Sequence, residues 1–169
     1  MNAEIYNTAE QLVGLLKEKK LLIATAESCT GGLASSLVTD VPGSSEYLLG
    51  SAVTYSNMAK HKLINVSEES LEAYGAVSWQ VACEMAQGVR ELFGTTYGVG
   101  ITGIAGPGGA TEDKPVGLVY MAVADADGVK WAKHIFGGTR TDNKMRSALT
   151  AISMVIDRIK EKETENKDK

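Results

Sequence analysis

Ser28 and Cys29 set a hydroxyl beside a thiol between an apolar run, Leu21-Leu22-Ile23-Ala24, and the helically spaced Leu33-Ala34-Ser35-Ser36-Leu37-Val38, with Thr30-Gly31-Gly32 in between. A strand that turns into a helix at this point lifts its side chains above the carboxyl edge of a sheet. Backbone N–H groups and the positive end of the helix dipole then face whatever docks there, an arrangement suited to an anion or an oxyanion. Two nucleophiles compete. In the first assignment Ser28 is activated by Lys60, whose pKa must fall from ~10.4 toward ~7 to 8, a shift of roughly 4 kcal/mol that demands burial or a neighbouring cation. His61 and Lys62 offer positive charge nearby, and Tyr55 stands where it can relay the proton or orient the ammonium. Spacing alone does not separate Lys60 from an ordinary surface lysine. In the second assignment Cys29, at a helix start, works with His61. Its rival is a free cysteine packed as a small hydrophobe.

Other residues suit binding rather than bond-breaking. Thr30, Gly31 and Gly32 fit an anion cradle or simply a tight turn, and Glu27 suits the positive end of the helix dipole. Thr102 ends a strand pattern and leads into Gly103-Ile104-Ala105-Gly106-Pro107-Gly108-Gly109, where glycines let a backbone approach a ligand closely. That loop lacks the ordered spacing of a P-loop or a dinucleotide fingerprint. Arg140, between Thr139 and Thr141 at the start of the last helical pattern, suits a phosphate, because guanidinium and helix terminus reinforce one another there. A solvated surface arginine is the plain alternative. Cys83 and His134 read as packing residues.

The elements that must hold these groups follow from periodicity. Ile5, Ala9, Leu12, Val13 and Leu16 mark a first helix with Lys17, Lys19 and Lys20 at its end. The helix after Ser28 stops near Thr39-Asp40, before the breaker-rich Val41-Pro42-Gly43-Ser44-Ser45. Gly50 to Tyr55 reads as a second strand. Ser67 caps a short helix closed by Gly75, and Ser78 caps another whose buried stripe is Ala82, Met85, Ala86, Val89 and Phe93. Tyr97 to Thr102 reads as a third strand, and Val116 to Ala124 with Val129 to Phe136 as an antiparallel hairpin across Asp127-Gly128. Met145, Leu149, Ile152, Ile156 and Ile159 define a long final helix that Thr139, Thr141 or Asp142 could cap. The charged tail 161–169 loses the apolar period and is expected to fray. The pattern predicts an α/β fold, a three-layer α/β/α sandwich around a mixed sheet of about five strands, with one domain over residues 1–160.

Composition narrows the function. The 169 residues are 44% hydrophobic and 22% charged, with a net charge of -4, which is ordinary globular composition and a poor match for a nucleic-acid binder. Two cysteines and two histidines assemble neither a disulfide framework nor a metal site. The amino terminus lacks the pattern of a signal peptide and no apolar run reaches membrane-spanning length, so the expected setting is the reducing cytoplasm, away from membranes. A mixed sheet permits a homo-oligomer.

Taken together, Ala26-Glu27-Ser28-Cys29-Thr30-Gly31-Gly32, Val53-Thr54-Tyr55-Ser56-Asn57 with Lys60, Gly75-Ala76-Val77-Ser78, the Gly103 to Gly109 loop and Lys114-Pro115-Val116-Gly117 resemble the CinA C-terminal domain family, in order from about residue 21 to residue 150. The segment after Pro107 departs from the family pattern. The resemblance implies a stand-alone Ser/Lys amidohydrolase of that family, a nicotinamide-mononucleotide deamidase serving pyridine nucleotide recycling. Its serine, tyrosine and lysine fall on Ser28, Tyr55 and Lys60, and its substrate-binding regions on the glycine-rich loop and Arg140. It implies a small-molecule nucleotide substrate and neither metal nor cofactor. The alternative is a non-catalytic nucleotide-binding or regulatory module that keeps the pocket.

Overall fold

A computed structural model describes residues 3–167. Its elements are helix α1 (Ala3–Lys19), strand β1 (Ile23–Glu27), α2 (Leu33–Thr39), β2 (Leu48–Val53), α3 (Asn57–Ile64), α4 (Glu68–Tyr74), α5 (Trp79–Phe93), β3 (Tyr97–Gly103), β4 (Leu118–Asp125), β5 (Gly128–Ile135) and α6 (Arg140–Lys167). The five strands form one mixed sheet in the order β2-β1-β3-β4-β5. The first three are parallel, while β4 and β5 run antiparallel to their neighbours as the hairpin that Asp127-Gly128 predicts.

Period-2 alternation sends each strand's side chains to two different helical layers. On one face Ile23, Val99, Ile101, Val119, Met121 and Val123 pack with Leu12 and Leu16 of α1, Leu37 of α2 and Ile152 and Ile156 of α6. On the other face strands β1 to β3 present only small residues. Ala24, Ala26 and Ala52 meet Ile64 of α3 and Val81, Met85 and Val89 of α5, while Ala122 and Ala124 meet Ala82 and Ala86. Helix α5 thus lies almost on the sheet: a Cβ added at Gly100 would stand 2.3 Å from the Ala82 carbonyl oxygen, and one at Gly98 would stand 2.1 Å from that of Ala86.

The second strand, expected over Gly50 to Tyr55, lies two residues earlier at Leu48–Val53, and three further expectations change. The first strand begins two residues later than the apolar run and extends through Glu27, so that residue belongs to the sheet rather than to the turn. Helix α3 has no strong apolar period, but Ser56 caps it by accepting a hydrogen bond from the Ala59 N–H at 3.1 Å. It is this helix that carries Lys60. The segment expected to fray stays helical through Lys167. There Glu161 accepts from Lys130 at 2.5 Å, Lys162 pairs with Asp127 and Lys19 with Glu163. Exposed pairs of this kind add little each; the buried anchor of this stretch is Arg158 Nε on the Asp125 carboxylate at 2.6 Å.

Connections from β1 and β2 leave toward opposite faces, β1 to α2 and β2 to α3, which opens a crevice at the carboxyl edge of the sheet. Close packing of α5 keeps that edge in place. Replacing Gly100 by Ala is therefore expected to destabilise the fold by about 1–3 kcal/mol, read as a lowered denaturant midpoint with unchanged slope.

Candidate active site

Strand β1 decides where its last residues look. Glu27 continues the series of Ile23 and Thr25, whereas Ser28 continues that of Ala24 and Ala26. The Glu27 carboxylate, fully buried, accepts from the N–H groups of Gly32 (3.1 Å), Ala34 (3.0 Å) and Ser35 (2.9 Å), and from the Thr25 hydroxyl at 3.2 Å. It thereby fills the N-terminus of α2. Ser28 faces the α3 side, where Lys60 Nζ lies 3.0 Å from its Oγ. The amine also donates to the Thr54 carbonyl at 2.8 Å, and the side chain is 1% exposed. Burial lowers its pKa from 10.5 to about 8, against a smaller upward push from Cys29. The neighbouring cations expected to lower it are not the cause. His61 is exposed, bonds the Val66 carbonyl at 2.9 Å, and with Lys62 lines a separate groove between α3 and α4.

A cavity of about 260 Å³ opens over this pair, lined by Ser28, Cys29, Tyr55 and Lys60, by Ala76 and Val77 ahead of α5, by Thr102 to Gly106 with Gly108 and Gly109, and by Arg140. Of the predicted binding residues, Thr102, Gly103, Gly106 and Arg140 are in it. Thr30, Gly31 and Gly32 are not: the Gly31 N–H donates to the Ser28 carbonyl at 3.1 Å and the Gly32 N–H to the Glu27 carboxylate at 3.1 Å, so both glycine donors of the expected anion cradle are taken by the protein itself. Tyr55 is placed differently from expectation. Its hydroxyl accepts from Arg140 Nη2 at 2.9 Å, 61% of the residue is exposed, and it closes the rim rather than the Ser28–Lys60 contact. Arg140 also holds the Gly106 carbonyl through Nη1 at 2.7 Å. The Thr102 hydroxyl donates to the Ala76 carbonyl at 2.7 Å and joins the two walls.

The Cys29 thiol is 6% exposed, and burial pushes its pKa up to about 11, so it stays protonated near neutrality and is a poor nucleophile. Two participants escaped the sequence. The Thr54 carbonyl carries no side-chain signal. Asn143, buried on α6 and donating to the Ala105 carbonyl at 3.0 Å, sits within an amphipathic pattern where an amide attracts no notice.

The fold and this pair define a three-layer α/β protein with a Ser–Lys contact at the carboxyl edge of a mixed sheet. The chain belongs to the CinA family: the CinA C-terminal domain matches residues 5–159. A CinA-like protein of Desulforapulum autotrophicum is 50% identical over 154 residues, which are 90% of this chain and 36% of that one. One from Chlorobaculum tepidum is 49% identical over 159 residues, 91% of this chain and 38% of that one. The chain thus spans a little over a third of the length of these curated relatives. Among solved structures, the competence/damage inducible protein CihA from Agrobacterium tumefaciens superposes with a TM-score of 0.90 at 37% identity, covering 93% of this chain and 96% of that one. A CinA superfamily protein from Escherichia coli gives 0.86 at 32% identity, over 90% and 88% of the two chains.

Lys60 opposes folding at neutral pH. A folded-state pKa of about 8 against 10.5 in the unfolded chain means that the native state binds fewer protons between those values, so the penalty is full below pH 8 and fades toward 10.5. Lys60→Met is expected to be more stable than the native protein by about 1–3 kcal/mol at pH 7, a gap that closes by about pH 10.5. Denaturant melts across that range provide the check.

Proposed function

We propose that this chain is a Ser/Lys amidohydrolase that converts the carboxamide of nicotinamide mononucleotide to nicotinate mononucleotide and ammonia, a step of pyridine nucleotide recycling. The observation that carries the reading is the buried Lys60 amine, 3.0 Å from Ser28 Oγ with its pKa lowered to about 8. One of its N–H bonds is committed to the Thr54 carbonyl, so the neutral amine has its lone pair free to meet the serine proton. Family membership and the resemblance of the Ser28, Tyr55 and Lys60 segments support the substrate class.

In the proposed reaction Lys60 takes the proton of Ser28 as Oγ bonds to the carboxamide carbon, and the carbonyl π electrons move to its oxygen. The tetrahedral intermediate collapses, the C–N bond breaks, and Lys60 returns the proton to the departing nitrogen as ammonia leaves. Water then attacks the acyl-enzyme, giving a proton to Lys60, which passes it to Ser28 Oγ as the acyl C–O bond breaks and the acid product departs. These steps call on no metal or cofactor. Arg140, already fixed by Tyr55 and the Gly106 carbonyl, retains further guanidinium N–H groups for the substrate phosphate. Tyr55 on this account sets that arginine rather than relaying the proton.

Chelator-treated protein incubated with nicotinamide mononucleotide should release ammonia and nicotinate mononucleotide, while Ser28→Ala should bind the nucleotide and release neither. Binding without release by the native protein would instead mark a non-catalytic module. Cys29→Ala is expected to keep most of the activity, which excludes a thiol mechanism. With native enzyme kcat/KM should rise with pH along a limb of apparent pKa near 8, as Lys60 becomes neutral. Arg140→Ala should raise KM for the mononucleotide by roughly tenfold or more, and should change turnover of the phosphate-free riboside far less.

A further inference from the structure

The first turn of α6 grips the glycine-rich loop by two consecutive carbonyls, Asn143 Nδ2 donating to Ala105 at 3.0 Å and Arg140 Nη1 to Gly106 at 2.7 Å. Asn143 is 1% exposed, and among the described residues its Oδ1 has no hydrogen-bond partner. A buried amide with half of its capacity unused is unfavourable compared with an apolar residue of the same size, so packing alone does not account for it.

The consequence of the Asn143 bond follows from peptide geometry. The cis bond of this segment is Gly106–Pro107; the Ala105–Gly106 unit before it is trans, and in a trans unit N–H and C=O point in opposite directions. With the Ala105 carbonyl turned toward α6, the Gly106 N–H turns the opposite way, and both Ala105 and Gly106 line the cavity that Ser28 and Lys60 share. Among the described residues no protein group accepts from that N–H. The backbone there is preset as well: Gly106 has φ +86°, and an added Cβ would lie 2.5 Å from Val116 Cγ1. In the turn after Ser28, the Gly31 N–H is spent on the Ser28 carbonyl and the Gly32, Ala34 and Ser35 N–H groups on Glu27.

We propose, resting on the amidohydrolase reading above, that Asn143 is the positioning residue of the oxyanion site: it holds the Ala105 carbonyl so that the Gly106 N–H is presented to the carboxamide oxygen as Ser28 attacks. The bond made by that N–H strengthens as charge develops on the oxygen, so its loss falls on turnover rather than on substrate binding.

The test uses two variants of similar size that both lack the donor, Asn143→Leu and Asn143→Met, assayed at a temperature where melting curves show them folded. Expected for a folded variant is a fall in kcat of roughly 100-fold with KM within about threefold of native. A second readout separates aim from general damage. The substrate analogue with an aldehyde in place of the carboxamide forms a hemiacetal on Ser28 and needs the oxyanion donor, whereas nicotinate mononucleotide as product does not. Aldehyde affinity should fall in proportion to kcat/KM while product affinity holds. A folded variant with kcat within about threefold of native, or equal loss of aldehyde and product affinity, overturns the assignment of Asn143 and leaves the amidohydrolase standing. Absence of ammonia release by the native protein overturns both.

Discussion

Burial of one lysine amine organises this molecule. Nζ of Lys60 sits out of water with two oxygens as partners, Ser28 Oγ and the Thr54 carbonyl, and it is this desolvation that brings its pKa to about 8. Each neighbouring element contributes to that burial. Helix α3 carries the residue; the Thr54 carbonyl, just past the end of β2, fixes it; and Ile64 of the same helix packs with α5 on the small-residue face of the sheet. A charged amine in such a place opposes folding, and well-packed layers on both sides of the sheet supply the stability that offsets it.

The end of β1 separates two tasks that share one turn. Alternation sends Glu27 to the layer of α1, α2 and α6 and Ser28 to the layer of α3 and α5. The carboxylate then satisfies three N–H groups at the start of α2, which would otherwise attract a ligand's anion. An anionic or partly anionic guest must look elsewhere, and the cavity offers it the Arg140 guanidinium and the loop from Thr102 to Gly106. Helix α6 reaches both, because its first turn is tied to that loop by Arg140 and Asn143 and started by a reciprocal cap. Thr139 Oγ1 accepts from the Asp142 N–H at 3.2 Å, and the Asp142 carboxylate accepts from the Thr139 N–H at 2.8 Å.

Much of this was legible in the chain. Apolar periods placed α1, α5 and α6, serines at positions 67 and 78 marked two helix starts, and Asp127-Gly128 marked the hairpin. Helix α3 was not legible, since only Met58, Ala59, Leu63 and Ile64 interrupt its polar run and its cap, Ser56, sits among other polar residues. The first strand was read two residues early because its end carries the polar Thr25 and Glu27, whose side chains are buried by hydrogen bonds rather than by apolar contact. The Gly31-Gly32 turn read as an anion cradle because the N–H donors are implied by the helix start, whereas their capture by Glu27 depends on which face a strand residue points to.

The sequence by itself determined the layer order, the family and the presence of a hydroxyl, an amine and a guanidinium at fixed intervals, because periodicity, caps and turn residues act over a few positions of chain. Only the tertiary structure decided that Lys60 is buried against Ser28, that its pKa is lowered by desolvation and not by His61, that Tyr55 holds Arg140, and that Asn143 holds the Ala105 carbonyl. Those contacts join residues about 30 to 90 positions apart, and desolvation depends on every layer packed around a group; neither is written in any local stretch.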